Sequence, residues 1–141
     1  MILIYRELYF LKTPYAHTPG SFVSYDTKTK MLFSSDLFGS FSTKWGLFIE
    51  LSESCPICID YNHCIKGKDY CPLPDIIDFH KKIMPTARSL KHAMNIIKPL
   101  DVNIIAPQHG SGIKNQQDIN FLINFIASLE GVGIDAIEQK M

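Results

Sequence analysis

At 141 residues, with 46% hydrophobic and 20% charged side chains, the chain suits one folded domain with its own core, and fourteen basic groups against fourteen acidic ones leave no net field to attract nucleic acid or anionic lipid. No run approaches the ~20 apolar residues that span a bilayer, and Met1 to Leu11 is interrupted by Arg6 and Glu7 and lacks a leader's basic start and small-residue cleavage site. A cytoplasmic protein without membrane or nucleic-acid partners is therefore expected, its four cysteines reduced and serving as ligands or free thiols rather than disulfides.

In chain order, residues 2–13 combine β-branched and aromatic side chains in partial alternation and predict one or two strands. Residues 21–25 and 30–35 predict two more, joined by Asp26-Thr27-Lys28-Thr29 as a hairpin turn, so Asp36 follows directly on a strand end. Residues 37–74 show neither period, and a loop of that length in a compact domain calls for a functional explanation. Helices are expected over 75–83, ending before Pro85, and over 86–97, stopped by Pro99. A short buried strand, 102–106, leads into the loop Pro107-Gln108-His109-Gly110. Asn115 then caps a last helix, with Asp118 as an imperfect capping box. Ile119, Leu122, Ile123, Ile126 and Leu129 form its apolar stripe, and Gly131 is its expected stop. Strands first and helices later, with one late strand, indicate a layered α/β (α+β) sandwich rather than a doubly wound sheet.

Three segments set a metal-ligand side chain in a Gly/Pro-bounded loop at a strand end: His17 in HTPGS, Asp36 in SSDLFG and His109 in APQHG. Two imidazoles and a carboxylate suit zinc, iron or manganese, and a carboxylate can bridge two ions. Singly, each segment is weak evidence, because a loop histidine is commonly just hydrogen-bonded and an aspartate after a strand commonly caps a turn. A second constellation is Cys55, Cys58, Cys64 and Cys71, four thiols within 17 residues, with His63 as an alternative ligand. It suggests one structural zinc or an iron–sulfur cluster, against the plainer alternative of a loop of free thiols. Trp45 with Phe38, Phe41 and Phe48 reads as core packing or a pocket wall. His80 and His92 are expected at the surface or core edge, and Lys81, Lys82, Arg88 and Lys91 on a solvated helix face. Tyr15 and Tyr70 are optional lining residues. Gly110 to Lys114 imitates a phosphate loop only superficially and is expected to shape the turn after His109.

Taken together and in this order, the three segments resemble the metallo-β-lactamase superfamily, most closely its flavodiiron-like branch of proteins that bind or reduce oxygen or nitric oxide. The resemblance spans roughly residues 5–130. It implies that His17 and His109 each serve one metal, that Asp36 bridges the two, and that the fold is half of an αββα sandwich, a mixed, mostly antiparallel sheet covered by helices. The Ser-x-Asp-x-Phe-Gly phrase is more typical of the diiron branch than of the zinc hydrolases. The branch's other ligands come from an H-x-[ED]-x-D-H segment, which does not occur among these residues. The whole chain is thus expected to be the C-terminal part of such a domain, with a Cys-rich insertion at 52–74.

Three functions follow as expectations. The first is a diiron oxidoreductase centre (two iron ions, no flavin) for a diatomic or other small-molecule substrate, fed by an external electron donor. The second is a dinuclear zinc hydrolase, in which a bridging hydroxide attacks an ester, thioester or amide. The third is a non-catalytic fragment or interaction subunit. Because half a sandwich exposes a sheet face, homo-oligomerisation or pairing with an N-terminal half is expected in every case.

Overall fold

The computed structural model describes residues 5–41, 46–51 and 71–138. Three strands come first: β1 (Leu8–Lys12), β2 (Phe22–Asp26) and β3 (Met31–Ser35). Helices α1 (Leu73–Ile83) and α2 (Ala87–Ile97) precede β4 (Ile104–Pro107), and α3 (Gln116–Ala127) and the single turn α4 (Asp135–Glu138) complete the chain.

The four strands form one sheet in chain order, with β1, β2 and β3 antiparallel and β4 parallel to β3. The parallel step follows from the connection, since two helices between β3 and β4 carry the chain back to the starting end. The hairpin between β2 and β3 is built on Asp26. Its carboxylate accepts hydrogen bonds from the Lys28 amide at 3.0 Å, the Thr29 hydroxyl at 2.7 Å and the Arg6 guanidinium. Lys30 takes a left-handed φ of 57° to re-enter the ladder. The hydrogen bond from the Arg6 guanidinium is the largest cause that holds the Asp26 carboxyl well below the usual carboxylate range.

Strand alternation sorts the two faces. Val23, Tyr25, Leu32 and Ile105 are buried and join one apolar cluster with Leu90, Met94 and Ile97 of α2 and Ile119, Leu122 and Ile126 of α3. On the opposite face Leu8, Phe10, Phe22 and Phe33 stay 45–65% exposed. Phe10, Ser24, Phe33 and Ala106 lie in one row across the four strands. This is an αβ half-sandwich, with one face clothed by helices and one apolar face bare among the described residues.

The helices follow their local signals with three departures. Helix α1 starts at Leu73, two residues before the expected Asp75, because Pro74 fits the first turn, where no amide donor is needed. In α3 the Asn115 side-chain oxygen takes the Gln117 and Asp118 amides, as expected; α2 begins at Ala87 rather than Thr86, whose hydroxyl instead caps the Ser89 amide. Asp118 does more than complete a cap. Its carboxylate accepts the Leu51 amide at 3.0 Å, tying a distant segment to α3. The helix also ends at Ala127 rather than at Gly131: Ser128 bonds the Phe125 carbonyl through its hydroxyl and its amide, and Leu129 continues in a tighter turn.

The described part of the expected irregular stretch is ordered by backbone bonds. Residues 46–49 lie along the loop after His109: the Gly112 amide donates to Leu47, the Ile49 amide to Gly112, and the Ser111 hydroxyl to Gly46. Ile113 also pairs with Ile105 beside β4. The Gly110–Lys114 stretch thus shapes the turn after His109, as expected. No described helix is long and apolar enough to cross a membrane.

Candidate metal centre

Each of the three candidate ligands sits on a loop whose backbone is closed by its own hydrogen bonds. His17 projects from the β1–β2 connection, pinched at its base by the Thr13 amide on the Ser21 carbonyl at 2.9 Å. The Ala16 amide donates to Thr13, the Tyr15 amide to Thr18, and the Ser21 hydroxyl accepts the Thr18 amide. Asp36 follows β3 in a turn closed by the Leu37 amide on Ser34 and the Gly39 amide on Asp36. The buried Leu37 and Phe38 anchor that turn from below. His109 lies after β4, where the Gln108 amide bonds the Ser35 carbonyl and the Ser40 amide bonds the His109 carbonyl at 3.2 Å. Gly110, at φ 105°, reverses the chain directly after the histidine, a conformation that side-chain-bearing residues rarely adopt.

These loops bring the three side chains together at one end of the sheet. His17 Nδ1 stands 3.0 Å from Asp36 Oδ2, and His109 Nε2 stands 3.5 Å from Asp36 Oδ1. The two carboxylate oxygens therefore face different imidazoles, the disposition required of a carboxylate that links two cations. The Asp36 side chain is only 18% exposed, whereas those of His17 and His109 are 46% and 55% exposed. Among the described residues no three His, Cys, Asp or Glu side chains form a cluster able to hold an ion by themselves. The donor chemistry fits two metal ions, with one imidazole and a shared carboxylate each, and leaves most coordination positions to other groups.

The centre opens into a cleft of about 590 Å³ lined by His17, Thr18, Ser35, Asp36, Pro107 and Gln108. The same cleft runs on over Phe22, Ser24, Phe33 and Ala106, which belong to the bare sheet face. Ligand cluster and apolar face form one continuous surface.

Behind the centre stands a residue that its expected position misses. His80 is not at the surface but fully buried on the apolar face of α1. Its Nε2 accepts the Phe38 amide at 3.0 Å, and its Nδ1–H donates to the Ile76 carbonyl at 2.7 Å. Only the neutral ring with its proton on Nδ1 satisfies both contacts. Burial pushes its pKa down to about 4, against the opposing pull of the Ile76 carbonyl and the Asp36 charge. A signal was present in the sequence: Leu73, Ile76 and Ile83 recur at helical spacing and place His80 on their side of the helix.

The other candidates separate. Cys55, Cys58, Cys64, His63, Trp45 and Tyr70 lie outside the described residues. Cys71 is half-buried and packs against the core ahead of α1. Phe38 is core, whereas Phe41 is 46% exposed and meets Phe79 edge-on at 4.9 Å. Phe48 packs beside Gly112 under the Lys114 ammonium. His92 and the cationic side chains of α1 and α2 are exposed, as expected. Tyr15, 54% exposed, lines a different cleft with Pro85, Arg88 and His92.

A sequence model described as "ODP family beta lactamase" matches residues 2–110. The type A flavoprotein FprA of Rhodobacter capsulatus is 31% identical over 106 residues, which are 74% of this chain and 20% of that protein. The solved structure titled "Peroxy diiron species of chemotaxis sensor ODP" superposes with a TM-score of 0.73 at 27% identity, over 95% of this chain and 50% of that one. The rubredoxin:oxygen oxidoreductase of Desulfovibrio gigas shares the fold, with a TM-score of 0.64 at 20% identity, over 85% of this chain and 27% of its own. The chain thus spans half of the solved sensor and about a fifth of the flavoprotein. With its mixed sheet and its helices on one face, it belongs to the ODP family of beta-lactamase-like domains, as a partial domain of flavodiiron type.

Proposed function

We propose that this chain provides one half of a dinuclear non-haem iron centre that takes a small diatomic ligand, oxygen or nitric oxide. The observation that carries this reading is the single carboxylate of Asp36, one oxygen turned to His17 and the other to His109. The likeness to a sensor whose structure is titled as a peroxy diiron species supports iron over zinc. His17 and His109 would each hold one metal and Asp36 both. Iron bound there supplies open coordination positions and electrons for the small ligand.

The chain's own residues do the rest. Asp36 offsets part of the positive charge of two ions, and its low exposure strengthens that attraction. Thr18, Ser35 and Gln108 place polar groups along the cleft. The remaining ligands come from protein covering the bare sheet face, because that face and the ligand cluster are one surface. This coverage is the pairing that the exposed Phe10, Phe22 and Phe33 call for, and a second copy of the chain is the rival occupant. Turnover as an oxidoreductase would need an external electron donor, whereas a sensor needs only to bind. The spacing of Cys55, Cys58, Cys64 and Cys71 supports a separate structural metal; Cys55→Ser would release it and leave the Asp36 site intact.

The test is anaerobic co-expression with the half of the sensor fold that this chain does not span. About two irons per complex are expected, with a visible absorption change on exposure to air or nitric oxide and loss of both in Asp36→Ala. A colourless complex that retains zinc and hydrolyses a generic ester would sink the diiron reading.

A further inference from the structure

The fold assigns the Asp36 turn an internal brace on α1, and we infer that His80 is a positioning residue for the metal-bridging carboxylate, acting through the Phe38 backbone amide. This rests on the metal reading above for its functional meaning, but not for its geometry. Asp36 sits between two side-chain-bearing residues in left-handed backbone conformations, Ser35 at φ 55° and Phe38 at φ 67°. Such residues hold that conformation only where their surroundings enforce it. The Ser34 hydroxyl bonding the Leu37 carbonyl and the Gln108 amide bonding the Ser35 carbonyl fix the first half of the turn. The second half is fixed by His80 Nε2, which receives the Phe38 amide at 3.0 Å in a fully buried setting.

The neighbouring side chain supports the next ligand. Phe79 packs so closely on Gly39 that a Cβ there would lie 2.7 Å from its ring, and that ring also lies 6.2 Å from the ring of His109. One turn of α1 thus grips both the Asp36 loop and the His109 side chain. Histidine suits the brace because one neutral ring accepts from Phe38 on one nitrogen and donates to Ile76 on the other. An apolar residue of similar size would fill the space and leave the Phe38 amide unpaired.

Two substitutions separate bracing from filling. Gln places its amide oxygen near the Nε2 position and can accept from Phe38, whereas Asn reaches only the Nδ1 position. In the unaltered, 15N-labelled full chain without metal, a coupling across the hydrogen bond between the Phe38 amide nitrogen and His80 Nε2 is expected, and its absence overturns the brace. In His80→Asn, Phe38 amide exchange should accelerate roughly tenfold or more, the effect of losing one buried hydrogen bond, and His80→Gln should stay within about threefold. The Mn²⁺ concentration that broadens the His17 and Asp36 signals should rise about tenfold in His80→Asn and little in His80→Gln. Equal losses in both variants, or faster Phe38 exchange with unchanged Mn²⁺ response, would reduce His80 to a core filler and overturn the inference. If the unaltered chain shows no Mn²⁺ response at those residues, the metal reading fails instead. The brace is then judged on metal-free amide shifts from Ser35 to Ser40, which must move in the Asn variant and hold in the Gln variant.

Discussion

Asp36 and His80 differ in exposure and in chemistry, yet each answers to the same short turn. The Asp36 carboxylate, proposed to bridge two metals, is held by backbone on both sides, so its aim depends on groups that no ligand motif contains. Gly39 is one of them. A methyl group there meets the Phe79 ring and the Asp36 carbonyl at 2.7 and 2.9 Å, so Gly39→Ala should cost about 1–3 kcal/mol in denaturant melts and disturb the carboxylate's aim. His80 supplies a pH dependence. Its ring stays neutral in the fold down to about pH 4, whereas an unfolded chain protonates it near 6.5. Between those values the unfolded state binds the extra proton, so stability falls as pH drops through this window and is fully present above it. The loss between pH 7 and 4.5 is about 2 kcal/mol, and urea unfolding at the two pH values should show it in the natural chain and not in His80→Gln. Asp26, held low by Arg6, adds a further fall on the acid side of the ordinary carboxylate range. That His17, Asp36 and His109 come together was legible in the sequence, because a histidine or aspartate in a Gly/Pro-bounded loop stands out and the order of the three segments links them. His80 was misplaced because a polar residue type outweighed the apolar helical stripe around it.

The elements hold together through a few contacts between distant segments. Alternation and β-branched or aromatic runs revealed the strands, and Pro85, Pro99 and Asn115 marked the helix ends, because these signals are local. The end of α3 at Ala127 and the bond from Leu51 to Asp118 were not legible, since each depends on packing partners far along the chain. The cap of α2 is a local test: Thr86→Ala should lower stability by about 1 kcal/mol, measured by thermal or urea unfolding. Asp118→Ala is a long-range test. It removes the acceptor of the Leu51 amide and should hasten hydrogen exchange and proteolysis around residues 46–51, with α3 itself still helical by circular dichroism.

At the scale of the whole molecule, one sheet face is core and the other is bare among the described residues. Phe10, Phe22 and Phe33 are each 45% exposed or more, and the proposed pairing rests on them. Replacing all three by Ser should lower dye binding and self-association of the isolated chain and abolish pairing with the complementary half. The bare face was foreseeable from the half-sandwich pattern, but its continuity with the ligand cleft required coordinates, because residues from four separate segments create it. The central claim is that His17, Asp36 and His109 point at a shared pair of metal ions, and paramagnetic NMR tests it even when binding is weak. Substoichiometric Mn²⁺ added to the 15N-labelled chain should broaden first the signals of His17, Asp36, His109 and Gly110, and Asp36→Asn should abolish that selectivity. Broadening spread over unrelated surface carboxylates, or unchanged by Asp36→Asn, would contradict it.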